Sequence, residues 1–476
     1  MNRLVITSEA EKRRHEIAME KGREYVKKES ERLGRPLFCA ITTFGCQMNA
    51  RDSEKMSGIL VEMGYELIED EEAADFVLFN TCTVRENADN HLYGRLGRVG
   101  AFKKKRPHIR VAVCGCMMQE EAAVEKLRKS YAFVDIIFGT FNIHRFADLI
   151  VTMHESDRMV VDIWNEAKEI TEDLPAVRKY PFKSGVNIMY GCDNYCTFCI
   201  VPYVRGRERS RASKDIIDEV KRLAYDGVKE VMLLGQNVNS YGFGLEKEIS
   251  FPELLQRVCD VDGIERVRYM SSNPHDFSDE LIEVMRTEKK AARHIHLALQ
   301  SGSDRILKMM NRKHTGKDFL RIVDKIHEAD PDISITTDII VGFPTETDRD
   351  VDDTIDIINK AGFDNAFTFI YSKRSGTPAA NFPMEADKVE IQRNFDRVLK
   401  AVHEQARERT FRFEGRDMRV LVEGTDLDDE SLLTGRLSTN ALVHFKGEKE
   451  LIGSFTDVHL DKSHGFYYSG HRIDRT

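Results

Sequence analysis

Short apolar runs alternate with segments of helical spacing through the first third of the chain. Strands are predicted over 38–43, 75–80 and 110–113, and helices over 52–64 and 86–103. A helix between successive strands indicates a parallel sheet, because parallel neighbours need a long crossover connection. Ligands of open parallel sheets gather outside the carboxyl ends of the strands. The pattern therefore predicts a parallel α/β domain with any functional site at that edge.

The same alternation returns after residue 180 and is more regular there. Six strands are predicted, near 185–190, 230–234, 266–271, 294–299, 333–341 and 365–371. Helical patterns lie between them, over 215–225, 251–259, 279–286, 319–329 and 348–361. Repeated strand–helix units with right-handed crossovers curl into a barrel or part of one. We therefore expect a partial barrel whose chemistry lies at the carboxyl-end face.

The chain after this block changes its pattern again. A long helix is predicted from about 385 to 411, and glycine-rich breaks then separate several short apolar runs. These runs are predicted strands, near 419–424, 433–436, 442–445, 451–453 and 465–470. Short strands with regular breaks are typical of a small antiparallel β-barrel. The C-terminal part is therefore predicted to be such a barrel.

Two charged segments complete the division of this 476-residue chain, which is too long for one ordinary domain. Residues 1–35 are rich in Glu, Lys and Arg, which predicts a solvated helix or partly disordered extension without a catalytic role. Residues 151–180 show no strong period and are predicted to be a linker. The expected fold class is α/β. An extension over 1–35 precedes a sheet domain over 36–150 and a linker over 151–180, and a partial barrel over 181–410 is followed by a C-terminal barrel over 411–476.

Composition narrows the class of protein. Hydrophobic residues make up 41% and charged residues 32%, no apolar run has the length of a membrane span, and the first residues lack the apolar core of a signal peptide. A cytoplasmic protein without a membrane segment is expected. Nine cysteines in such a chain favour metal or redox chemistry over disulfides. The net charge of −9 means that any contact with nucleic acid must depend on local basic patches.

Three of these cysteines, Cys192, Cys196 and Cys199, have the spacing CxxxCxxC. A [4Fe–4S] cluster normally takes four cysteine thiolates, and the residues that follow supply no fourth. One iron would keep an open position, which is the arrangement of a catalytic metal site. Structural zinc, the alternative, usually takes CxxC pairs closed to four ligands. The spacing favours an iron–sulfur cluster that can bind a further ligand.

Another three cysteines each follow a predicted strand of the first domain. Cys46, Cys82 and Cys116 come just after the strands over 38–43, 75–80 and 110–113, so the sheet should place them on one edge. They could hold a second cluster, or they could be buried thiols that pack as small hydrophobes. Cys114 lies close enough to Cys116 to confuse the choice between the two. Cys39 and Cys259 lie in apolar runs and are predicted to be packing residues.

The run from Tyr190 to Arg211, YGCDNYCTFCIVPYVRGRERSR, resembles the radical S-adenosylmethionine (SAM) methylthiotransferases, and among them the MiaB-type enzymes that act on tRNA. The segments GCQMN, NTCTVREN and GCMMQ are similar to the three cysteine motifs of that family's N-terminal domain. The resemblance covers nearly the whole chain from about Phe38. It implies an auxiliary cluster on Cys46, Cys82 and Cys116, an open six-stranded barrel, and a C-terminal TRAM domain that binds RNA.

The resemblance also implies a reaction and its cofactors. Two [4Fe–4S] clusters and SAM would methylthiolate C2 of N6-isopentenyladenosine in the anticodon loop of tRNA, giving 2-methylthio-N6-isopentenyladenosine. Close relatives of that family act instead on threonylcarbamoyladenosine in tRNA or on an aspartate of a ribosomal protein. An alternative of a different class is a non-catalytic RNA-binding protein with structural metal. Expected partners are a flavodoxin or ferredoxin as electron donor and a sulfur-supply or cluster-assembly protein, and a monomer is expected.

Two further sets of residues are candidates for ligand contact. Asn237 and Gln300 follow predicted strands within motifs similar to family segments, some of which hold SAM, although capping or turn formation is the simpler explanation for each. A basic run follows the CxxxCxxC segment and is predicted to contact RNA, with solvated surface as the alternative. Its members are Arg205, Arg207, Arg209 and Arg211.

Overall fold

The computed structural model describes residues 3–4, 9–83, 86–156, 158–166, 170, 172, 174–246, 248–384 and 386–473. The strands are β1 Arg3–Leu4, β2 Leu37–Thr43, β3 Tyr65–Leu67, β4 Phe76–Thr81, β5 Arg110–Gly115, β6 Ile136–Phe138, β7 Val160–Asp162, β8 Lys183–Asn187, β9 Met189–Tyr190, β10 Arg209–Ser210, β11 Glu230–Leu234, β12 Arg266–Tyr269, β13 His294–His296, β14 Ser334–Val341, β15 Asn365–Ile370, β16 Asp417–Thr425, β17 Leu432–Leu437, β18 Leu442–Lys446, β19 Phe455–Ser463 and β20 Tyr467–Arg472.

The α-helices are α1 Glu9–Leu33, α2 Gln47–Met63, α3 Glu86–Lys105, α4 Glu121–Ser130, α5 Phe146–Glu155, α6 Val201–Val204, α7 Ser213–Tyr225, α8 Phe251–Cys259, α9 Asp279–Thr287, α10 Asp304–Met309, α11 Gly316–Ala329, α12 Asp348–Ala361 and α13 Lys388–Thr410. In the described part of the chain, none of them is both long and apolar enough to cross a membrane. The chain divides into two compact units. One consists of 1–179, 189–193 and 200–215, and the other of 180–188, 194–199 and 216–476.

The first unit is built on a six-stranded parallel sheet of order β3-β2-β4-β5-β6-β7. Helices α1, α2 and α5 cover one face, and α3 and α4 cover the other. Because both faces are buried, the central strands read as continuous apolar runs, and all six residues of β4 are buried. The parallel α/β domain predicted from the sequence is confirmed, with strands 38–43, 75–80 and 110–113 at its centre.

The sheet also recruits segments that the sequence pattern did not predict as strands. β6 and β7 extend it beyond β5, so the predicted linker over 151–180 contains the end of α5 and a strand. Both strands are only three residues long, which is too short to show a period. Their place in the sheet depends on pairing with neighbours that are distant in sequence.

The N-terminal helix α1 is not solvated on every side. Ala18, Met19, Gly22 and Val26 are buried against the first unit's core. Each large apolar side chain that is removed from water in this way contributes about 1.5–3 kcal/mol. The prediction of a solvated extension is therefore wrong for this face of α1. The many charged residues of the segment hide the apolar positions of that face in the sequence.

The second unit begins with parallel strands in two groups, β8-β11-β12 and β13-β14-β15. Isolated parallel bridges, Val267 to Ala291 and Ser272 to Leu297, join the two groups into one run of six strands. Helices α8, α11 and α12 alternate with these strands. Three predicted elements match the structure at both ends, namely Glu230–Leu234, Phe251–Cys259 and Asp348–Ala361. The predicted partial barrel is confirmed.

A closed barrel of order β16-β17-β18-β20-β19 ends the second unit. Its pairings are antiparallel except for β18 with β20, which is parallel. The strand predicted over 451–453 is wrong. Lys449–Leu451 forms a 3-10 turn, and Gly453 has a left-handed φ of 84°, so the strand starts only at Phe455. The predicted C-terminal β-barrel is otherwise confirmed.

Candidate metal centres

Three cysteines lie together at the carboxyl edge of the sheet in the first unit. Cys46, Cys82 and Cys116 follow the adjacent strands β2, β4 and β5. The Sγ atoms of Cys46 and Cys116 lie 3.7 and 3.8 Å from a single atom, Oδ1 of Asn49. A Cβ atom at Gly45, the neighbour of Cys46, would lie 3.0 Å from Sγ of Cys82, so the third thiol borders the same place. The fold thus brings the three strand-end thiols into one cluster of side chains.

Two glycines allow the strand ends to approach this closely. Gly45 and Gly115 have φ angles of 122° and 105°, a region that other residues rarely adopt. A Cβ atom at Gly45 would lie 2.6 Å from Cβ of Cys82, and one at Gly115 would lie 2.2 Å from the carbonyl oxygen of Thr81. Each Gly-Cys pair therefore combines a tight turn with a thiol that can sit against the neighbouring strand.

The donor set suits a cluster better than a single ion. The thiolates of a four-iron cluster bind different irons, so they surround a volume and do not converge on one point. Within the described ranges, no group of three or more His, Cys, Asp or Glu side chains is placed to hold one metal ion. Zinc, which needs four converging ligands, is not supported by this part of the chain. Three thiolates on a cluster would leave one iron for a further ligand.

Cys114, by contrast, belongs to the core. It is fully buried, its sulfur lies 3.7 Å from Sδ of Met56, and burial raises the pKa of its thiol well above the ordinary value. Cys39 and Cys259 are buried too, and burial raises the pKa of Cys39 to about 12. The prediction that Cys39 and Cys259 are packing residues is confirmed.

Arg205 reaches the strand-end thiols from the basic run. Its Nε lies 3.2 Å from Sγ of Cys116, and its two terminal nitrogens donate to Oδ2 of Asp52 at 2.8 Å and to Oδ1 of Asn49 at 2.7 Å. Arg205 is only 4% exposed. Its guanidinium is therefore held in place by three partners on one side of the thiol cluster.

Burial and charge act against each other at this contact. Burial raises the pKa of the Cys116 thiol to about 12, although the positive charge of Arg205 opposes that rise. Burial disfavours the charged form of Arg205, but the neighbouring carboxylate of Asp52 favours it, and the pKa of Arg205 lies well above its usual value. The guanidinium is a permanent positive charge beside the sulfur.

The other arginines of the run differ in exposure. Arg211 is 4% exposed and pairs with Glu172, with Nε 2.8 Å from the carboxylate. Arg209 is also buried, and it donates to the backbone oxygens of Arg207 and Arg205. The Arg207 side chain alone in this run is mostly exposed, at 62%. Three of the four predicted RNA contacts therefore face into the protein, which counts against that role for them.

The CxxxCxxC segment lies between β9 and α6. In the first unit, the backbone N–H of Cys192 donates to the oxygen of Gly206 at 3.1 Å. In the second unit, the N–H of Cys199 donates to the oxygen of Cys196 at 2.9 Å, which bends this end of the segment into a turn. Arg312 brings a nitrogen to 3.6 Å from Sγ of Cys196.

Asn237 and Gln300 both follow strands of the second unit. The side chain of Asn237 is buried and donates to Oδ2 of Asp276 at 2.6 Å, while its oxygen accepts from the N–H of Asn273 at 3.2 Å. Gln300 has a left-handed φ of 71°, and its N–H donates to the oxygen of Asp338 at 2.9 Å. Contact with SAM stays a prediction for both. The hydrogen bonds of Asn237 favour the loop-forming alternative.

Sequence reasoning missed Asn49 and Asp52. Both lie in α2, which begins at Gln47 and not at the predicted residue 52, and both are buried despite their polarity. Asn49 also donates to the carbonyl oxygen of Thr81 at 2.8 Å, so it ties α2 to the end of β4. The position of Asn49, three residues after Cys46, was the available signal that it lies beside the thiol. Spacing alone does not show which side of the chain a polar side chain faces.

Family comparisons cover most of the chain. Residues 39–139 match a family described as "Uncharacterized protein family UPF0004", residues 186–358 match the radical SAM superfamily, and residues 412–472 match the TRAM domain. The first segment overlaps the parallel sheet of the first unit from β2 to β6, the second overlaps the parallel strands of the second unit from the end of β8 to β14, and the third covers the closed barrel.

Three relatives that match more than nine-tenths of the chain carry one name. A tRNA-2-methylthio-N(6)-dimethylallyladenosine synthase of Lachnoclostridium phytofermentans is 56% identical over 449 residues, which is 94% of this chain and 98% of the relative. Proteins of that name from Thermoanaerobacter sp. and Clostridioides difficile are 46% and 47% identical, over 93% and 92% of this chain and 94% and 92% of their own lengths.

Among solved structures, the radical SAM methyltransferase TsrM of Kitasatospora setae, with tryptophan substrate and a SAM analogue bound, shares the fold. The TM-score is 0.52 at 14% identity, over 72% of this chain and 75% of that one. A likeness at this identity concerns the fold alone, and it supports the radical SAM architecture of the parallel strands.

Proposed function

The chain belongs to the family of the tRNA-2-methylthio-N(6)-dimethylallyladenosine synthases, and from that premise we propose that it methylthiolates C2 of N6-isopentenyladenosine beside the anticodon of tRNA. The product is 2-methylthio-N6-isopentenyladenosine. It is a radical SAM enzyme, and that superfamily implies SAM and a [4Fe–4S] cluster. The target base lies in a single-stranded loop, where it can turn into a pocket without breaking base pairs.

We further propose that the chain holds two clusters. Cys192, Cys196 and Cys199 would hold the first, and the strand-end thiols Cys46, Cys82 and Cys116 would hold the second. When bound, the first cluster and SAM supply the radical that removes hydrogen from an unreactive C–H bond, and the second cluster supplies sulfur. Each set of three cysteines would hold its cluster through three thiolates and would leave one iron without a protein ligand.

Each predicted domain is assigned one part of the proposed function. Residues 36–150 would carry the sulfur-donating cluster, 181–410 the radical chemistry and 411–476 the RNA contact, joined by the linker 151–180 and preceded by the extension 1–35. Asn237 and Gln300 are proposed to face SAM. Of the basic run, Arg207 is the exposed side chain that can reach an RNA phosphate.

We expect the protein to work in the cytoplasm as a monomer. A flavodoxin or ferredoxin would reduce the clusters, since the reaction consumes electrons that the chain does not itself supply. A sulfur-supply or cluster-assembly protein would restore the sulfur that each turnover removes.

The observation that carries this proposal is the second set of thiols. A radical SAM enzyme needs only the CxxxCxxC segment, whereas sulfur insertion needs a source of sulfur as well. Cys46, Cys82 and Cys116 meet at one edge of a separate sheet, and two glycines make room for them. This arrangement suits a cluster dedicated to sulfur.

Mass spectrometry of tRNA nucleosides tests the proposal. In a strain that lacks the gene, the isopentenyl nucleoside should lose its methylthio group, and the intact gene should restore it. Complementation with Cys82→Ala should not restore it, although the purified variant should still cleave SAM to 5′-deoxyadenosine. Cys196→Ala should lose both activities.

Other results would contradict specific parts. If the isopentenyl nucleoside keeps its methylthio group in the deletion strain, the substrate is wrong, and threonylcarbamoyladenosine or a ribosomal-protein aspartate becomes the one to examine. Thiolation by Cys82→Ala would remove the second-cluster assignment. A protein reconstituted without oxygen that yields no 5′-deoxyadenosine would be a binding protein with structural metal.

A further inference from the structure

Arg205 has the surroundings of a residue that serves the strand-end thiols and not RNA. Its guanidinium is buried, and three of its partners belong to the edge of the first sheet, at 3.2 Å from Sγ of Cys116, 2.8 Å from Asp52 and 2.7 Å from Asn49. An arginine that contacts RNA phosphate would be mobile and exposed to solvent. The terminal nitrogens of Arg205 are instead divided between the buried carboxylate of Asp52 and the amide oxygen of Asn49.

The electrostatics of this contact depend on burial. The side chains of Arg205 and Asp52 are each only 5% exposed, so water screens their charges weakly. Hydrogen bonds to cysteine sulfur and buried charge are established determinants of the reduction potential of iron–sulfur clusters. A positive charge stabilises the reduced cluster, which carries one more negative charge than the oxidised cluster.

We propose that Arg205 is a positioning residue of the second cluster, which orients the Cys116 thiolate and raises the cluster's reduction potential. Asp52 and Asn49 hold the guanidinium in that position. The inference rests on the second cluster of the proposed function. It assigns to Arg205 a role in setting how readily this cluster is reduced, and it removes Arg205 from the RNA-contacting set.

The experiment isolates the second cluster in the full-length chain. Cys192→Ala, Cys196→Ala and Cys199→Ala together remove the first cluster, and this triple variant is the parent. Iron and sulfide per chain are measured after anaerobic reconstitution, and the midpoint potential is measured by a redox titration followed by electron paramagnetic resonance. Neither measurement depends on turnover.

Substitutions of opposite charge should shift the potential in opposite directions. Arg205→Gln removes a positive charge and should move the midpoint to more negative values. Asp52→Asn removes a negative charge but keeps an oxygen that accepts from Arg205, so it should move the midpoint to more positive values. Arg205→Lys keeps the charge and should lie closer to the parent than Arg205→Gln.

A matched control removes another arginine–aspartate pair of the same sheet. Arg35 donates to both oxygens of Asp75 at 2.8 and 2.7 Å, and Asp75 precedes β4, whereas Cys82 follows it. The six-residue strand between them spans about 20 Å. Arg35→Gln should lower stability without moving the midpoint.

Each outcome decides the inference. Opposite shifts in Arg205→Gln and Asp52→Asn support it, since a merely structural role would lower the iron content of both variants without such a pattern. Full iron with unchanged potentials overturns it. If Arg205→Gln takes up no iron, the midpoint potentials of Arg205→Lys and Asp52→Asn decide. Loss of iron in Arg205→Lys would also overturn the inference, because that variant keeps the positive charge. A parent without iron overturns the second cluster and this inference together, whereas an iron-containing parent that is insensitive to Arg205 overturns the inference alone.

Discussion

Arg205 and Arg207 stand two positions apart in one basic run, yet they have opposite environments. Arg205 is 4% exposed and bonded to a carboxylate that lies 153 positions earlier in the chain, whereas the side chain of Arg207 is 62% exposed. Residue type and spacing give no means to separate them, because the distinction depends on a partner distant in sequence. A run of like charges is therefore a weak guide to an RNA surface.

Cys114 and Cys116 present the same problem and provide a test. Cys116 lies beside Arg205 and Asn49, whereas Cys114 packs against Met56. We expect Cys116→Ala to lose about half of the iron and sulfide of a two-cluster protein. Cys114→Ala should keep all of it and should cost only about 1 kcal/mol for the small cavity.

Metal and sulfide assays after anaerobic reconstitution measure the first effect, and thermal unfolding measures the second. Cys39→Ala is the control, since Cys39 is buried in the same core and lies at the far end of a central strand from the cluster edge. Loss of iron in Cys114→Ala with normal iron in Cys116→Ala would reverse the assignment.

At the scale of elements, several boundaries were predictable because they depend on local signals. The helix α12 ends where glycine supplies a left-handed φ of 62° at Gly362, and it begins with a capping box formed by Thr347 and Asp350. Asp350 also accepts from Ser303 at 2.6 Å, so the segment 300–303, which contains Gln300, is joined to the start of α12. This contact supports a structural role for that motif beside any role in binding.

Glu346, in the loop before α12, should make stability depend on pH. Burial raises the pKa of its carboxyl from 4.5 to about 7, although the N–H of Gly342 donates to it at 2.5 Å. Between pH 4.5 and 7 the folded chain therefore holds a proton more tightly than the unfolded chain. The free energy of unfolding should fall through this window as pH rises, by on the order of 3 kcal/mol.

Glu346→Gln removes this titration and should stabilise the protein above pH 7 relative to its parent, with little difference below pH 5. Melting temperatures measured without oxygen across pH 5 to 8 test the sign. A parent and a variant whose melting temperatures run parallel across this range would show that Glu346 titrates normally. Glu283→Gln serves as a control, since Glu283 lies exposed on a helix surface beside Arg286.

At the scale of the whole chain, the closed barrel is joined to the parallel strands by buried arginines. Arg268 donates to the carbonyl oxygens of Leu437 and Ser438 at 2.6 and 3.1 Å, and Arg266 donates to that of Arg436 at 2.9 Å. Glu230 accepts from both arginines, at 3.0 and 3.3 Å. One carboxylate thus supports the two side chains that hold the barrel within the second unit.

Glu230→Ala leaves two buried guanidinium groups without their carboxylate. Because an uncompensated buried charge is costly, the second unit should lose about 3–5 kcal/mol of stability. Hydrogen exchange should increase in β12 and β17, where these residues meet. Glu253→Ala is the matched control, since Glu253 and its partner Arg257 are about half exposed and such pairs contribute about 0.3–0.5 kcal/mol. Unchanged exchange in Glu230→Ala would show that other contacts hold the barrel.

The sequence alone determined the order of the main strands and helices, the parallel topology and the six cysteines proposed as ligands. The order and the topology follow from local periodicity, and the CxxxCxxC set follows from its spacing. Parallel strands bring Cys46, Cys82 and Cys116 to one edge, and the resemblance to the family motifs is what implies that these three are cluster ligands. The tertiary structure decided which arginines of the basic run are buried, that β6 and β7 complete the sheet, and that Asn49 and Asp52 support the thiol edge. Those features depend on which side chains meet across segments that are distant in sequence. A buried charge or a three-residue strand is stabilised by such neighbours, and no local pattern contains them.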